Sequence, residues 1–417
     1  MRILVVSPYL PHRRVGHGGG TAVRDLLRWL ARRHEVTAAC LVRPGEADLV
    51  EDVRALGVAV APLAYAARGD SGLRQTVFLR ERAAAALRAV ASGYPLYVEK
   101  YWTPVLSATL ASLVARLQPH AVQIEYLQMA LHCRDFRRLP DRSRPRLVLN
   151  THELGSLPRE RRAQLATSPL ARLAARREAA RWRRLQVAAS GWADRTLCVT
   201  DQDRDLLAAM GGVRLTTVPL GMDIEHVTPD WRPEPGACRV LFVGSFQHRP
   251  NRSGVRAFLT EAWPRIRTEI PGAHLDLAGR GSDSFLSALG DPVHWQARGV
   301  TAHGYVDDLA PLFRACHVFA AHLTEGGGIK IKVLEALARG VPVVATPVAA
   351  EGIAGGDRTP PLVAAPGVAF ADAVLRVASD ASLAASLAAG GRRLIEENFG
   401  WGAIVESLSG IYAGQEP

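Results

Sequence analysis

The sequence has few of the features that stabilise small secreted domains or hold metal ions. Its five cysteines are scattered over 417 residues without a CxxC pair, so we expect neither a disulfide framework nor a zinc site. No apolar run approaches the ~18 residues that span a bilayer. The first residues, MRILVVSPYL, lack the basic and cleavage regions of a signal peptide. We therefore expect a cytoplasmic protein with buried thiols.

Length and net charge indicate the number of domains and the kinds of binding partner to expect. The chain is longer than the roughly 250 to 300 residues at which one hydrophobic core stops growing, which predicts two domains. The formal net charge is +11, and many of the arginines lie within residues 159–184. We interpret this segment mainly as a solvated basic helix face, with peripheral contact to an anionic membrane surface as an open alternative. Nucleic acid is not expected as a partner.

Short apolar runs alternate with helical patterns along the whole chain. In the first half the strand-like runs are 2–7, 35–42, 58–62, 121–126, 147–150 and 195–199, and in the second half they are 239–244, 274–278, 318–321 and 342–345. This alternation predicts an α/β fold with a parallel sheet in each half. Clustered proline and glycine near 221–235 mark the boundary. The predicted domains are 1–222 and 223–397, and a helical tail of about 398–417 is expected to pack back on the first.

Two runs of three glycines follow predicted strands, where open α/β sheets bind ligands. The run 326–328 precedes a predicted helix, 329–339, with Lys330 and Lys332 in its first turn. Cations there oppose the helix dipole, so we expect a bound anion such as a diphosphate, the alternative being solvated surface lysines. The run 18–20 is not a dinucleotide fingerprint, because Thr21 stands where GxGxxG requires glycine. Either a close backbone approach to a sugar or phosphate or a plain flexible turn would explain it.

Two acidic features complete the residues with possible chemical roles. Glu335 lies in the predicted helix beside Leu334 and Leu337, so we expect a buried carboxylate that needs donors. Ribose hydroxyls or backbone N–H groups of an adjoining loop would supply them. The Asp201-Gln202-Asp203 sequence formally satisfies a DxD metal motif but directly follows a strand, where a helix cap is the better interpretation. No metal site is predicted.

Three blocks in the second half make the chain resemble glycosyltransferase family 4, whose members have the GT-B fold. They are GGGIKIKVLEALARGVPVVATPVAAEGI at 326–353, FVGSF at 242–246 with Pro250 and Asn251, and HGYVDD at 303–308. The first block is similar to a subgroup with a Lys-x-Lys pair ahead of the glutamate. Looser similarity covers 18–21, 150–153 and 218–223. The resemblance implies two Rossmann-like domains facing each other across a cleft, with the nucleotide in the second and the acceptor mostly in the first.

The resemblance also implies roles for individual residues. His152 would contact the donor sugar, Glu335 the ribose, and Lys330 and Lys332 the diphosphate; His152 and the two lysines form the expected catalytic set. The other expected donor-binding residues are Gly19, Gly20, Gly244, Asn251, Tyr305, Val306, Glu325, Gly327, Gly328, Ile329 and Glu351. Among these, the backbone near Tyr305 would meet the base.

The sequence departs from the family pattern at two places. Many members carry a second glutamate eight positions before the one that matches Glu335, and here that position is Gly327. Glu325 is offset by two residues, and its ability to substitute is left open. The Arg and Lys that commonly follow the FVG strand are also replaced. The pair Lys330 and Lys332 is expected to neutralise the diphosphate in their stead.

The expected reaction is metal-independent transfer of a sugar from a UDP- or GDP-sugar to an acceptor hydroxyl, with retention and without a cofactor. Fixed cations and helix N-terminal amides would stabilise the leaving phosphate. Loops 10–20 and 69–101 are expected to line the acceptor side. The sequence identifies neither the acceptor nor the oligomeric state. A sugar-nucleotide epimerase and an inactive nucleotide-sugar-binding protein remain as alternatives.

Overall fold

The computed structural model describes residues 1–15, 18–43, 45–64, 73–140, 144–353 and 361–415. Within these ranges the strands are β1 (Arg2–Ser7), β2 (Glu35–Val42), β3 (Ala59–Ala64), β4 (Ala121–Glu125), β5 (Arg146–Asn150), β6 (Arg195–Cys198), β7 (Leu215–Thr217), β8 (Arg239–Val243), β9 (His274–Ala278), β10 (Val300–Ala302), β11 (Val318–Ala321), β12 (Val343–Ala345) and β13 (Leu362–Val363).

The helices of the same ranges connect these strands. They are α1 (Gly18–Ala31), α2 (Val50–Arg54), α3 (Leu73–Ser92), α4 (Leu96–Glu99), α5 (Pro104–Leu117), α6 (Leu131–Arg137), α7 (Leu157–Leu165), α8 (Pro169–Trp192), α9 (Asp201–Ala209), α10 (Arg249–Ala257), α11 (Trp263–Glu269), α12 (Ser282–Ser287), α13 (Pro292–Ala297), α14 (Ala310–Ala315), α15 (Ile331–Ala338), α16 (Val368–Ser379), α17 (Ala381–Asn398) and α18 (Trp401–Ala413).

The first of two compact units comprises mainly residues 1–15, 19–220 and 401–417. Its sheet has seven parallel strands in the order β3-β2-β1-β4-β5-β6-β7. Strand β1 lies inside this sheet, where Ile3 pairs with Val36 of β2 and with Ala121 of β4. Helices cover both faces, so β1 is apolar along its length rather than alternating.

The last helix completes the core of this first unit. Six side chains of α18 are buried together with residues of β1, α1 and β2: Trp401, Ile404, Val405, Leu408, Ile411 and Tyr412. They recur at the spacing of one helix face, which explains why the helix needs a partner surface. The first unit is therefore built from both ends of the chain.

The second unit consists mainly of Gly221–Gly400. Its six-stranded parallel sheet has the order β10-β9-β8-β11-β12-β13. In both sheets the chain starts in the middle, moves to one side, and then crosses to the other, as in doubly wound folds. The predicted α/β class, with a parallel sheet in each half, is confirmed.

Two predicted loops are helical in the structure. Gly18–Gly20 form the first turn of α1 instead of a glycine loop, so the helix begins three residues earlier than expected. Much of 69–101, expected as an acceptor loop, is α3 and α4; residues 69–72 lie outside the described ranges. Helix α3 is rich in Ala, Leu and Arg, which are strong helix formers and explain this outcome.

The described residues bear on both membrane insertion and metal binding. No helix there is both long and apolar enough to cross a bilayer. No group of three or more His, Cys, Asp or Glu side chains in the same part of the chain could hold a metal ion. At the DxD sequence, the Thr200 hydroxyl accepts a 2.9 Å hydrogen bond from the Asp203 N–H and caps α9. The helix-cap interpretation of this sequence is confirmed.

Candidate functional site

Three loops lie side by side at the carboxyl edge of the second sheet. The Gly244 N–H donates to the Ala278 carbonyl (2.9 Å), and the Gly279 N–H donates to the Gly304 carbonyl (2.7 Å). A Cβ on Gly279 would lie 2.2 Å from the Gly244 oxygen, and its φ is +129°. Only glycine has no Cβ to clash here and also adopts this φ without strain. Sequence reasoning missed Gly279, although its place directly after a buried strand was a usable signal.

Lys332 reaches this edge from α15. Its Nζ donates to Asn251 Oδ1 (2.5 Å) and lies 4.3 Å from the Phe242 ring centroid. A Cβ on Gly244 would be 2.7 Å from that ammonium, so the glycine provides the space that the lysine occupies. Burial, together with the charge of Lys330, lowers the pKa of Lys332 to about 7. The structure thus brings together three predicted donor-site residues: Gly244, Asn251 and Lys332.

Lys330 has a different environment from Lys332. It caps α15, which begins at Ile331 rather than at residue 329 as predicted, so Lys330 precedes the first turn. Its carbonyl accepts from the Val333 N–H (2.8 Å). Its Nζ donates to the Gly328 carbonyl (2.6 Å) and lies 3.5 Å from Glu351 Oε2. The expectation that both lysines lie in the first turn is wrong for Lys330, which caps the helix and whose ammonium contacts its own loop and Glu351.

The loop between β11 and α15 is folded around Glu325. This carboxylate is buried, and its Oε1 accepts from Arg249 Nε (3.1 Å) and Ser253 Oγ (2.7 Å), both on α10. The loop then passes Gly326, whose φ of +130° favours glycine, followed by Gly327, Gly328 and the buried Ile329. Glu325 therefore joins the loop to α10, and this contact is its structural role.

Glu335 is not the buried carboxylate that we expected. Its side chain is 25% exposed and its Oε1 accepts from Arg339 Nη2 at 3.0 Å. The apolar neighbours that suggested burial, among them Leu334 and Leu337, lie on the buried face of α15, whereas Glu335 lies on another face. The ion pair follows the i, i+4 spacing on one helix. The carboxylate remains accessible to a ligand from solvent.

Tyr305 and Val306 follow β10. Tyr305 is 45% exposed, and the Arg280 guanidinium carbon lies 5.4 Å from its ring centroid. The loop containing both residues is tied to β9 through the Gly279 hydrogen bond to Gly304. An exposed ring beside a guanidinium offers a stacking surface for a planar ligand. Val306 is partly exposed.

A second polar cluster lies at the carboxyl ends of β4 and β5 in the first unit. Glu125 is fully buried, and its carboxylate contacts His152 Nε2. It also accepts from Gln123 Nε2 (2.5 Å) and Asn150 Nδ2 (3.2 Å). The Tyr412 hydroxyl of α18 donates to Gln123 Oε1. Buried carboxylates need such donors. Sequence reasoning missed Glu125, although an acidic residue closing an apolar strand is a recognisable signal.

His152 is held in an unusual backbone conformation. Its φ is +58°, and the φ of Tyr126 is +71°. The two rings are stacked with centroids 3.6 Å apart and planes inclined by 5°. Residues with side chains in this region store strain and cluster at functional sites. Because Nε2 faces the Glu125 carboxylate, the favoured tautomer carries its proton there, and Nδ1 is the hydrogen-bond acceptor of the ring.

Gly19 and Gly20 are required for packing within the first unit. A Cβ on Gly19 would lie 2.0 Å from the Tyr126 hydroxyl, and one on Gly20 would lie 2.5 Å from both Val15 methyl carbons. Burial raises the pKa of Tyr126 well above its ordinary value, which keeps the phenol neutral. These close approaches give a packing reason for both glycines.

A small cavity borders the cluster around Glu125. Its volume of about 10 Å³ suits roughly one water molecule. Polar walls come from Gln123, Glu125, Asn150 and His152, and the remaining walls are mostly apolar side chains of α1 and α18. The cavity therefore joins the polar cluster to the core that α18 completes.

Each of the two units has a parallel sheet flanked by helices, which is the architecture of the GT-B class, and polar residues lie at the carboxyl edge of each sheet. Residues 16–226 match the family Glycosyltransferase Family 4, and residues 237–380 match Glycosyl transferases group 1. The chain belongs to glycosyltransferase family 4.

Solved structures match along the full length. Sucrose-phosphate synthase from Thermosynechococcus elongatus is 19% identical with a TM-score of 0.71, covering 99% of both chains. HepE from Anabaena, in complex with UDP, is 14% identical with a TM-score of 0.66, covering 99% of this chain and 100% of that one. At these identities the similarity shows the fold.

A curated relative is an uncharacterised 44.6 kDa protein in the cps region of Klebsiella pneumoniae. It is 23% identical over 174 residues, which are 41% of this chain and 45% of that protein. The match thus spans less than half of the relative's length.

Proposed function

We propose that this protein is a glycosyltransferase that moves a sugar from a nucleoside diphosphate donor, UDP- or GDP-linked, to an acceptor hydroxyl. The observation that carries the proposal is the convergence of Lys332, Asn251 and Gly244 at the carboxyl edge of the second sheet. Family membership supports the reaction class, and the complex of HepE with UDP supports a nucleotide ligand for this fold.

The environment of Lys332 suits a diphosphate. Its ammonium lies partly buried beside an amide oxygen and an aromatic face, and within the described residues no carboxylate forms an ion pair with it. Burying a cation without a countercharge is costly. An arriving diphosphate would supply the missing negative charge. Lys330 adds a second cation nearby, although Glu351 already offsets part of its charge.

The proposed transfer breaks the bond between the anomeric carbon and the diphosphate. The nucleoside diphosphate leaves with the electron pair, the acceptor oxygen bonds to the anomeric carbon, and the acceptor proton passes to the leaving phosphate. Lys332 stabilises the charge that develops on that phosphate. The configuration is retained and no metal takes part. Glu335 is assigned the ribose, and Tyr305 with Val306 the base.

The first unit contributes His152 to this proposal. Its Nδ1 would accept a hydrogen bond from a hydroxyl of the donor sugar, while Glu125 fixes the ring and its tautomer. The role of Gly327 as a sugar contact is limited to its backbone, because the glutamate common at this position is absent. Sugar selection therefore depends more on His152 than it does in family members with that glutamate.

Isothermal titration calorimetry with UDP and GDP, in EDTA, tests donor binding directly. Lys332→Met should weaken the binding of the preferred nucleotide by about 10- to 100-fold, the loss expected for a hydrogen bond to a charged group. Lys100→Met is the matched control, because it changes a lysine of the first unit. Equal binding by all three proteins would contradict the proposed diphosphate site.

Product analysis separates the transferase from its alternatives. Incubating a nucleotide sugar with an acceptor mixture should yield a glycoside whose anomeric configuration, read by NMR, matches the donor. An altered nucleotide sugar formed without acceptor would indicate an epimerase. Nucleotide binding with no turnover of any sugar nucleotide would indicate a binding protein.

A further inference from the structure

Helix α3 of the first unit exposes its large aliphatic side chains. Leu79, Leu87 and Val90 are 58%, 74% and 78% exposed, and Ala83 and Ala86 between them are also exposed. These five residues, the α3 stripe, follow the spacing of one helix face. Among the described side chains of this helix, residues 75–92, the buried ones are small, Ala85 and Ala89. An ordinary surface helix has the opposite arrangement, with its large apolar residues inward.

Positive charge borders the α3 stripe. By helical geometry Arg80, which is exposed, and Arg82, which is partly buried, flank it on its two sides, and the helix's acidic residue, Glu81, lies away from it. The Arg82 guanidinium lies 4.7 Å from the Phe78 ring centroid. Exposed leucines between arginines are typical of helices that lie in the interface of an anionic membrane.

The surface next to the carboxyl end of α3 also combines exposed apolar side chains with positive charge. Leu96 and Tyr97 of α4 are 46% and 41% exposed, and Lys100 Nζ lies 3.9 Å from the Tyr97 ring centroid. Burial, with Arg82 and Arg43 nearby, lowers the pKa of Lys100 to about 8. Three cations, Lys100, Arg82 and Arg43, thus lie near one another in this unit, and anionic head groups would attract them.

The basic segment 159–184, which the sequence offered as a membrane contact, is less suitable. It forms α7 and α8, and among its nine arginines Arg159 and Arg183 are held by partners inside the unit. Arg183 pairs with Glu160 (2.6 Å), and Arg159 donates to the Gly155 carbonyl (2.8 Å) while covering the Trp182 ring. These internal contacts make α3 the stronger candidate.

We propose that the α3 stripe docks the protein peripherally on the surface of an anionic phospholipid bilayer, with Leu79, Leu87 and Val90 entering the interface. The positive charge beside the stripe favours the bilayer over a second copy of the chain as the occupant. A two-fold pairing of stripes would bring the arginines of both copies together, at a cost in repulsion. Phosphate head groups neutralise the same arginines. The proposal is independent of the transfer reaction.

Vesicle co-sedimentation tests the proposal. The wild-type protein should pellet with vesicles of phosphatidylcholine mixed with phosphatidylglycerol, and should stay in solution with phosphatidylcholine alone. The triple variant Leu79→Ser, Leu87→Ser, Val90→Ser should reduce partitioning by about tenfold or more, because three aliphatic side chains no longer leave water. Arg80→Glu should reduce it as well.

Matched variants exclude general effects. Val293→Ser changes a side chain of the second unit that is 72% exposed, and should pellet like the wild type. Leu170→Ser, on α8 and 79% exposed, should do the same. Thermal unfolding of the triple variant should be unchanged, since the replaced side chains are exposed.

Three results would overturn the inference. The triple variant could pellet as well as the wild type, or the wild-type protein could pellet with neither lipid or equally with both. Light scattering could also show a dimer that the triple variant dissociates, in which case a second copy covers the stripe.

Discussion

The carboxylate of Glu125 contacts Nε2 of His152, and both side chains are buried at the carboxyl edge of the first sheet. The contact joins the ends of two neighbouring strands, β4 and β5. The Tyr126 ring stacks on the flat face of the same imidazole. The position of the ring and its tautomer are therefore both fixed before any ligand arrives.

Glu125→Gln should impair turnover more than donor binding. The amide fills the same space but no longer favours the proton on Nε2, so Nδ1 loses its fixed acceptor role. We expect kcat to fall by roughly 10- to 100-fold, as for a misplaced catalytic group. The nucleotide affinity measured by calorimetry should stay the same, because the proposed nucleotide contacts lie in the second unit.

Asp135→Asn is the control for Glu125→Gln. Asp135 is a partly buried carboxylate of the same unit that accepts from Trp102 Nε1 (2.5 Å) and Ser107 Oγ (2.6 Å). This change should lower the melting temperature without changing kcat. If both variants lowered kcat to the same extent, a specific role of Glu125 toward His152 would be refuted.

Gly244→Ala should displace Lys332. The new methyl group would lie 2.7 Å from the ammonium and 2.8 Å from Asn251 Nδ2. We expect nucleotide affinity to fall about tenfold, with a loss of about 1 to 3 kcal/mol in the free energy of unfolding from overpacking. Gly272→Ala is a matched control, since no atom lies within 4 Å of its added Cβ. Equal affinities in the two variants would contradict the proposed site.

Donor binding should weaken as the pH rises above about 7. The pKa of Lys332 is lowered to about 7 by burial and by Lys330, and a bound diphosphate would raise it again. Binding therefore takes up a proton above this pH, and affinity should fall by at most about tenfold per pH unit. Titrating a UDP-sugar, whose phosphates do not ionise in this range, measures the slope.

Lys332→Met supplies the comparison for that pH profile. The variant should bind more weakly at low pH and show little further loss between pH values of about 7 and 9, since it has no ammonium to lose. Parallel slopes in the two proteins would assign the pH dependence to another group.

Glu335→Gln should weaken the binding of UDP but not of its 2′,3′-dideoxy analogue. The proposed ribose contact predicts a loss of about tenfold for UDP, the range of a hydrogen bond to a charged group. Arg339 already occupies Oε1 of this carboxylate, so the fold of α15 should be little affected. Calorimetry with both nucleotides checks this, and an equal loss for both would remove the ribose from the assignment.

The sequence predicted ten of the thirteen strands in the described residues, because buried parallel strands are continuous apolar runs, but it missed β7, β10 and β13, which have only two or three residues each. Strand β1, for example, has the predicted bounds. The long helix α3, in contrast, was not predicted. Its apolar residues form the exposed α3 stripe and also occupy buried positions on another face, so the two sets overlap in the sequence and hide the helical period. Its helix-forming composition was the better signal.

Gly244, Asn251, Lys332 and His152 were proposed from the sequence, whereas Glu125 and Gly279 were missed. The contact partners of the proposed residues were harder to predict. The contact of Lys332 with Asn251 joins positions 81 residues apart, and no local pattern reports such a pair. The pairing of Lys330 with Glu351 is hidden for the same reason. The ion pair of Glu335 with Arg339, in contrast, follows from their spacing on a helix and could have been predicted.

The return of α18 to the first unit has a consequence for biosynthesis. Its six buried side chains belong to the core formed with β1 and α1, yet they leave the ribosome only after all of 221–400. Until then, Leu26, Leu27 and their neighbours in that core lack their covering helix. The first unit is begun first and finished last, so its apolar surface needs protection throughout translation of the second.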